Sequence, residues 1–215
     1  RVAAPHAARA AVALPARTLS SSAVARNEYE SPWGVNSLAK FTDEEEMLRD
    51  AVRRFAENEV KPRVEEMDEN EKMDPAIIKG LFEQGLMAIE TAPELGGAGG
   101  SFTSAIVVIE ELAKVDPAVS VLCDVHNTLV NTVLRKYAND EQRQRFMPAL
   151  SEHMLGSFCL SEPSSGSDAF AMRTSVKKTD DGNYVINGSK MWITNGAEAE
   201  FFIVFAQGDP SKGYK

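Results

Sequence analysis

The chain has 215 residues, 43% of them hydrophobic and 26% charged, with a formal net charge of −9. That is the composition of an ordinary globular protein with room for a buried core and one or two domains, and its acidic balance argues against nucleic acid, which rewards clustered Lys and Arg. Cys123 and Cys159 form no CxxC pair, so neither a metal site nor a disulfide framework is indicated, and no transmembrane segment is expected, since apolar runs such as Phe201 to Ala206 are far too short to span a bilayer.

Residues 1–27 differ from the rest. They carry Arg1, Arg9, Arg17 and Arg26, three consecutive serines, many alanines and no acid; the first carboxylate is Glu28. Such an Arg- and Ser-rich, acid-poor start is the signature of an organelle transit peptide, the alternative being a disordered Ala-rich tail. Without it the balance is 19 basic residues against 32 acidic ones, a net charge of −13. The absence of an initiator Met leads us to expect an N-terminus that is already incomplete.

From Phe41 to about Leu150 the pattern is helical. In FTDEEEMLRDAVRRFAENEV, Thr42 and Glu45 form a capping box, and Asp43, Glu44 and Glu45 suit the positive end of the helix dipole. Met47, Leu48, Ala51, Val52, Phe55 and Ala56 then recur at threes and fours, giving one apolar face. EEMDENEKMD, Glu65 to Asp74, reads as a solvated acidic connector. Asp74 caps a second helix with Pro75 at its first position, ending near Gly85. PELGGAGGS holds four glycines and reads as a loop. A third helix is expected over Ser104 to Lys114, a fourth from Asp116-Pro117 towards Tyr137, and a fifth over Glu141 to about Leu150. His126 falls in the fourth near Cys123 and Asn127 as a satisfied core or pocket-wall residue; His153 lies at a helix end.

After Gly156 the texture changes to strands. Thr174 to Lys178 precedes Asp181-Gly182, and Tyr184-Val185-Ile186 precedes Asn187-Gly188; Asp-Gly and Asn-Gly between such runs are strong hairpin signals. Phe201 to Gln207 reads as a buried strand. The expected class is therefore α+β: an all-α domain over residues 38–154, then the first part of an antiparallel β domain over residues 155–215. Three or four strands leave open edges, and such a sheet wants more partners than this stretch supplies.

The stretch FCLSEPSSGSDAFA puts one carboxylate, Glu162, before a run of small hydroxyl residues, then Gly166, Ser167 and Asp168. Small residues let backbone approach a ligand, and successive N–H groups in a turn make an anion-binding nest, so phosphate or pyrophosphate would suit it. By composition alone a solvated Ser/Gly loop is the stronger reading, and no Walker lysine or GxGxxG pattern decides otherwise. Downstream, KMWITNG offers the aromatic plate of Trp192, with Thr194 on the same face if the backbone is extended; by type alone, strand packing is again the stronger reading.

Order and spacing tip the balance the other way. CLSEPSSGSDAFA resembles the first signature of the acyl-CoA dehydrogenases, and NGSKMWIT, about thirty residues on, resembles their tryptophan-containing segment. The resemblance covers residues 38 to 215, and FTDEEEMLRDAV, GLFEQGLMAIE and VIEELAKVDPAVSVLCDVHNTLVN look most like the branch that handles 2-methyl-branched acyl-CoA thioesters. It implies that Phe158, Cys159, Leu160, Ser161, Glu162, Pro163, Ser164, Ser165, Gly166 and Ser167 line FAD, and that Trp192, Ile193 and Thr194 sit against the flavin ring. Ser167 and Tyr214 would meet the acyl-CoA substrate. Where Ser164 and Ser165 stand the family usually has Gly or Ala, and Ser164 would be strained if φ there were positive.

The implied reaction is α,β-dehydrogenation: a glutamate base takes the α-proton while the β-hydride passes to flavin, and electrons leave for electron-transfer flavoprotein. The resemblance further implies a homotetramer in the mitochondrial matrix, and a C-terminal helical domain carrying the base, which would begin beyond Lys215. Glu162 belongs by resemblance to the FAD loop and not to the acid-base machinery, so no catalytic residue is assigned here. An acyl-CoA oxidase on the same fold, or a chain that acts only by binding partner subunits, are the alternatives.

Overall fold

A computed structural model describes residues 40–209 and 211. The transit-like segment and Tyr214 lie outside the described residues. α1 (Asp43–Phe55) starts as its sequence demands: the Thr42 side chain accepts from the Glu45 amide, and the Glu45 carboxylate takes the Thr42 amide. The helix then loosens into a π-helical stretch, Ala56–Val60, and a 3₁₀ turn, Lys61–Arg63, before α2 (Val64–Glu69). Part of the stretch expected to be a connector is thus helical: Met67, buried, anchors an otherwise acidic surface helix to the core.

α3 (Pro75–Glu83) has the expected Asp74 cap and Pro75 start, and Gly85 turns the chain at φ 69°. α4 (Phe102–Ala113) is capped by Ser101, and α5 (Pro117–Asp124) by Asp116. The fourth expected helix runs on through a π-helical stretch, Val125–Asn131, into α6 (Thr132–Tyr137). α7 (Asp140–Glu152) carries a second capping box, Asn139 with Gln142.

α1, α3, α4 and α5 close over Val52, Ile77, Leu81, Val108, Leu112 and Val119, all essentially removed from water. Glu111 is buried at their edge. Burial raises its pKa, but bonds from Arg53 (3.0 and 3.2 Å) and Lys114 (2.6 Å) outweigh this and hold it ionised, so one carboxylate ties α1 to α4. The glycine loop is structural: the amides of Ala98, Gly99 and Gly100 bond the carbonyls of Ala88, Thr91 and Ile89. A Cβ on Gly97 would stand 2.1 Å from the Thr91 carbonyl oxygen, so only glycine permits that approach.

The strands form two pairs. β2 (Ser175–Lys178) and β3 (Tyr184–Asn187) are the antiparallel hairpin expected around Gly182, which takes φ 84°. β1 (Gly156–Cys159), which the sequence pattern does not single out, pairs with β4 (Phe201–Val204) in parallel, Gly156 facing Phe201 and Cys159 facing Val204. The antiparallel expectation therefore holds for one pair and not the other. β4 is also shorter than expected and only half-buried, with Phe202 and Val204 facing out. Asn187-Gly188 does not open a second hairpin, because residues 188–200 form no strand.

Candidate functional site

β1 delivers the Ser/Gly-rich loop. It lies against the π-helical stretch, where a Cβ on Gly156 would stand 2.6 Å from Val130 Cγ1, so glycine sets the approach. Phe158 packs on Phe205, ring centroids 4.8 Å apart, and Cys159 is buried. Past Leu160 the chain turns back on itself: the Glu162 amide bonds the Ser165 carbonyl (2.9 Å), the Ser165 amide bonds the Glu162 carbonyl (3.1 Å), and the Ser165 hydroxyl donates to the Asp168 carbonyl (2.7 Å).

Glu162 clamps this turn. Its carboxylate accepts from the amides of Arg173 (2.6 Å) and Thr174 (3.0 Å) and from Lys190 Nζ (2.8 Å), which also donates to the Leu160 carbonyl (2.9 Å). Burial alone would raise the Glu162 pKa; Lys190, Thr174 and the two amides reverse that and push it down to about 2. A carboxylate so held is a fixed anion, not a proton acceptor poised near neutrality.

The second motif runs beside the first as a strap. The Met191 amide bonds the Ser161 carbonyl (2.9 Å), the Ser157 hydroxyl donates to the Thr194 carbonyl (2.6 Å), and Asn195 Nδ2 donates to the Gly156 (3.0 Å) and Leu122 (3.2 Å) carbonyls. Residues 157–162 and 190–195, about thirty positions apart in sequence, are thereby neighbours. The backbone at Trp192 is not extended, so the condition for Thr194 to share its face is not met. Trp192 takes φ 56° and Asn195 φ 64°; for Asn this is tolerated, while for Trp it is an outlier costing on the order of 1–2 kcal/mol. The result is a large ring 87% exposed, standing off the surface beside the loop.

The expected lining residues divide accordingly. Cys159, Glu162 and Ser165 are buried, contrary to a lining role for their side chains, Phe158 packs against the core, and Leu160, Ser161, Ile193 and Thr194 are half-buried. Pro163, Ser164, Gly166, Ser167 and Trp192 face out. Among the described residues no hydrogen bond claims the amides of Ser164, Gly166 or Ser167. Ser164 is not among the non-glycine residues with positive φ, so it stands unstrained where the family usually has Gly or Ala. Lys190 and Asn195 stand within the KMWITNG segment, but neither they nor Ser157 are singled out by the sequence as residues of this site. The one signal is Lys190 near the tryptophan, the only cation of its segment, which meets Glu162 of the loop across 28 positions. His126 is the satisfied core residue expected, between the Leu150 carbonyl (2.9 Å) and the Gly156 amide (3.0 Å). No cluster of metal-ligating side chains occurs among the described residues.

A helical part followed by strands, with a Ser/Gly loop clamped beside an outward-facing tryptophan, defines a two-part class of protein with one composite surface. The profile of the acyl-CoA dehydrogenase N-terminal domain matches residues 42–153, and that of the middle domain residues 157–215. The chain belongs to the acyl-CoA dehydrogenase family. It is 51% identical over 179 residues to the mitochondrial short/branched chain specific acyl-CoA dehydrogenase of Rattus norvegicus, covering 83% of this chain and 41% of that protein. The butyryl-CoA dehydrogenase of Megasphaera elsdenii superposes with a TM-score of 0.78 at 35% identity, over 81% of this chain and 46% of that one. The acyl-CoA dehydrogenase of Bacillus anthracis complexed with FAD does so with a TM-score of 0.73 at 31% identity, over 80% of this chain and 30% of that one. The chain thus spans less than half the length of these relatives.

Proposed function

We propose that this chain supplies the flavin-facing loop and plate of an FAD-dependent acyl-CoA dehydrogenase acting on short or 2-methyl-branched acyl-CoA thioesters. The observation that carries the reading is the pairing of an outward, backbone-strained Trp192 with a loop whose Ser164, Gly166 and Ser167 amides are unclaimed among the described residues. Backbone strain clusters at functional sites and an exposed ring can stack on a ligand, while clustered amides and hydroxyls suit an anionic phosphate chain. FAD, when bound, supplies the hydride acceptor for α,β-dehydrogenation. The chain's own residues do the rest of the work at this surface. Ser164, Gly166 and Ser167 offer donors to the phosphates, Trp192, Ile193 and Thr194 form the wall for the ring, and Ser167 with Tyr214 meets the thioester. Phe158 and Cys159 support the loop from beneath.

Glu162 holds the loop and does not act as base. Glu111 is excluded on the same ground, being tied to Arg53 and Lys114. The substrate class follows the rat relative's name and the sequence of α1, α3 and α4. The reading extends to electron-transfer flavoprotein as acceptor, a homotetramer and residence in the mitochondrial matrix; family resemblance supports all three, and the acid-free, Arg-spaced residues 1–27 support the last. Titration of the protein with FAD, followed by flavin fluorescence, tests the reading. Saturable quenching is expected, weakened about tenfold by Trp192→Ala, since an aromatic stacking contact is worth roughly 1–3 kcal/mol. No saturable quenching, or superimposable titrations, would overturn it. This chain by itself is expected to be inactive, so the substrate class is read in a form that also carries the base-bearing domain implied by the resemblance: bleaching of its bound FAD by 2-methylbutyryl-CoA is compared with that by a straight-chain thioester, and reoxidation by air rather than by an artificial acceptor would favour an oxidase.

A further inference from the structure

The two parts of the chain meet at Gly156, and both of its backbone polar groups are taken by side chains from elsewhere. His126, on the π-helical stretch, accepts the Gly156 N–H at Nδ1 (3.0 Å), and its Nε2 donates to the Leu150 carbonyl at the end of α7 (2.9 Å). Two partners of fixed polarity leave one solution, a neutral imidazole protonated on Nε2. From the other side Asn195 Nδ2 donates to the Gly156 carbonyl (3.0 Å). Both side chains are buried, with His126 0% and Asn195 7% exposed, and the Phe82 ring stands edge-on to His126 at 5.7 Å. Gly156 itself has no slack, because Val130 fills the space where any Cβ would go.

We propose that His126 and Asn195 are positioning residues for the flavin-facing surface: gripping Gly156 from opposite sides, they fix β1 and the 190–195 strap as one unit and so set where the loop and Trp192 stand. The inference rests on the reading of that surface as a flavin site. Three features support it. β1 is four residues long and has one strand neighbour among the described residues, so its own ladder is a weak anchor. The Ser/Gly loop leaves directly from its end, and any shift of Gly156 is carried into Phe158 to Ser167. Asn195 sits three residues from Trp192, and both take positive φ, so its grip and the outward set of the ring are coupled through the backbone.

The histidine can be divided experimentally, because its two nitrogens serve different parts of the molecule. An asparagine carboxamide reaches the Nδ1 position, and a glutamine reaches the Nε2 position. His126→Asn therefore keeps an acceptor for Gly156, and His126→Gln keeps only the donor for Leu150. Amide exchange by mass spectrometry on the flavin-free protein is the first readout. His126→Gln and Asn195→Asp should each speed exchange of residues 156–168 and 190–196 about tenfold, the order expected when one buried bond is left unmade, while α4 is unchanged. His126→Asn should stay within about threefold of the parent, since its one buried bond to Gly156 is kept. Ser157→Ala, a milder cut between β1 and the strap at Thr194, should loosen 156–168 and 190–196 together, by less than His126→Gln or Asn195→Asp.

FAD affinity should fall in the same order, with His126→Gln well below His126→Asn. Equal exchange in the two histidine variants, or acceleration spread evenly into α4, would mean that His126 only fills the core, and would overturn the proposal. Should Asn195→Asp or His126→Gln fail to fold, Ser157→Ala decides: loosening of 156–168 and 190–196 together supports the coupling, and loosening of the strap alone, or none, refutes it. If the parent protein takes up no FAD, the flavin reading falls by itself, while the exchange order still decides whether these side chains place the loop.

Discussion

The helical part and the strands of this chain are held by different kinds of force. In the helices, Leu81, Val108, Leu112 and Val119 are wholly buried and their neighbours are other apolar side chains, so stability is spread over many contacts. In the strands, Tyr184, Val185 and Ile186 are 65, 56 and 54% exposed, and the loop and strap between them are placed by single polar contacts: Lys190 on Glu162, His126 and Asn195 on Gly156, Ser157 on Thr194. A surface built this way is accurate in place but easily loosened, which is what a ligand-receiving region drawn from the low-stability end of a protein looks like. The practical lesson is that damage should be global in one half and local in the other.

The largest test of that contrast is Leu112→Ala, at 0% exposure in the centre of the helical core. A cost of about 2–5 kcal/mol is expected, seen as a lower urea midpoint for the whole cooperative transition. If only the strand peptides lost exchange protection, the helical half would not be the stable one.

Next in size is acid. Burial pushes His126 down to about 4 from its ordinary 6.5, with the Leu150 carbonyl opposing this in part. The unfolded chain takes up this proton near pH 6.5 and the folded chain refuses it until about pH 4, so the stability involved is complete above 6.5 and is lost as pH falls towards 4. The amount is on the order of 3 kcal/mol. The Glu162 contribution is lost lower still, as pH falls from about 4.5 through about 2. Urea midpoints taken from pH 7 to pH 4 should therefore fall more steeply in the parent than in His126→Asn, which has nothing to titrate there. Parallel curves would show that His126 has no part in the acid response.

Lys190→Met should come third and stay local. It strands a buried carboxylate that keeps only its other donors, at about 2 kcal/mol for a charge-assisted bond. Exchange should rise through residues 158–174 and the strap, with α1 to α7 protected as before. A uniform loss would show the clamp to be part of the global fold.

How much of this is legible in the sequence depends on how local its cause is. The capping box at Thr42, the Asp74-Pro75 start and the turn at Gly182 are written within four residues each, and they appear as expected. The π-helical stretches are not, because a shift from i→i+4 to i→i+5 bonding leaves the apolar spacing nearly intact; yet it is the second of them that aims His126, Asn127 and Asn131 inward. β1 escapes notice because four residues, GSFC, carry no alternation, and its partner β4 lies far along the chain. At the candidate site the loop and the tryptophan are both legible as a resemblance. The clamp that joins them is not, since Glu162 and Lys190 meet only after the strands form. The left-handed backbone at Trp192 is not legible either, for a physical reason: a bulky side chain is seldom found at positive φ, so only the tertiary ties on either side of it could hold it there.

That conformation leads to the smallest expected effect and the one of opposite sign. If Trp192 is kept in the left-handed region by Met191 and Asn195 for the sake of a ligand, the flavin-free protein bears the strain and gains little from the ring, which is 87% exposed. Trp192→Asn puts a residue tolerant of that conformation in its place without the added chain entropy of glycine. The flavin-free variant should be as stable as the parent or more so, by up to about 1 kcal/mol, while its affinity for FAD falls. Stability is read from the urea midpoint and affinity from flavin fluorescence, on the same preparation. Were the variant less stable, the indole would be a packing element of the strap after all. If it were more stable with FAD affinity intact, the strain would be real and the ring would serve something other than flavin.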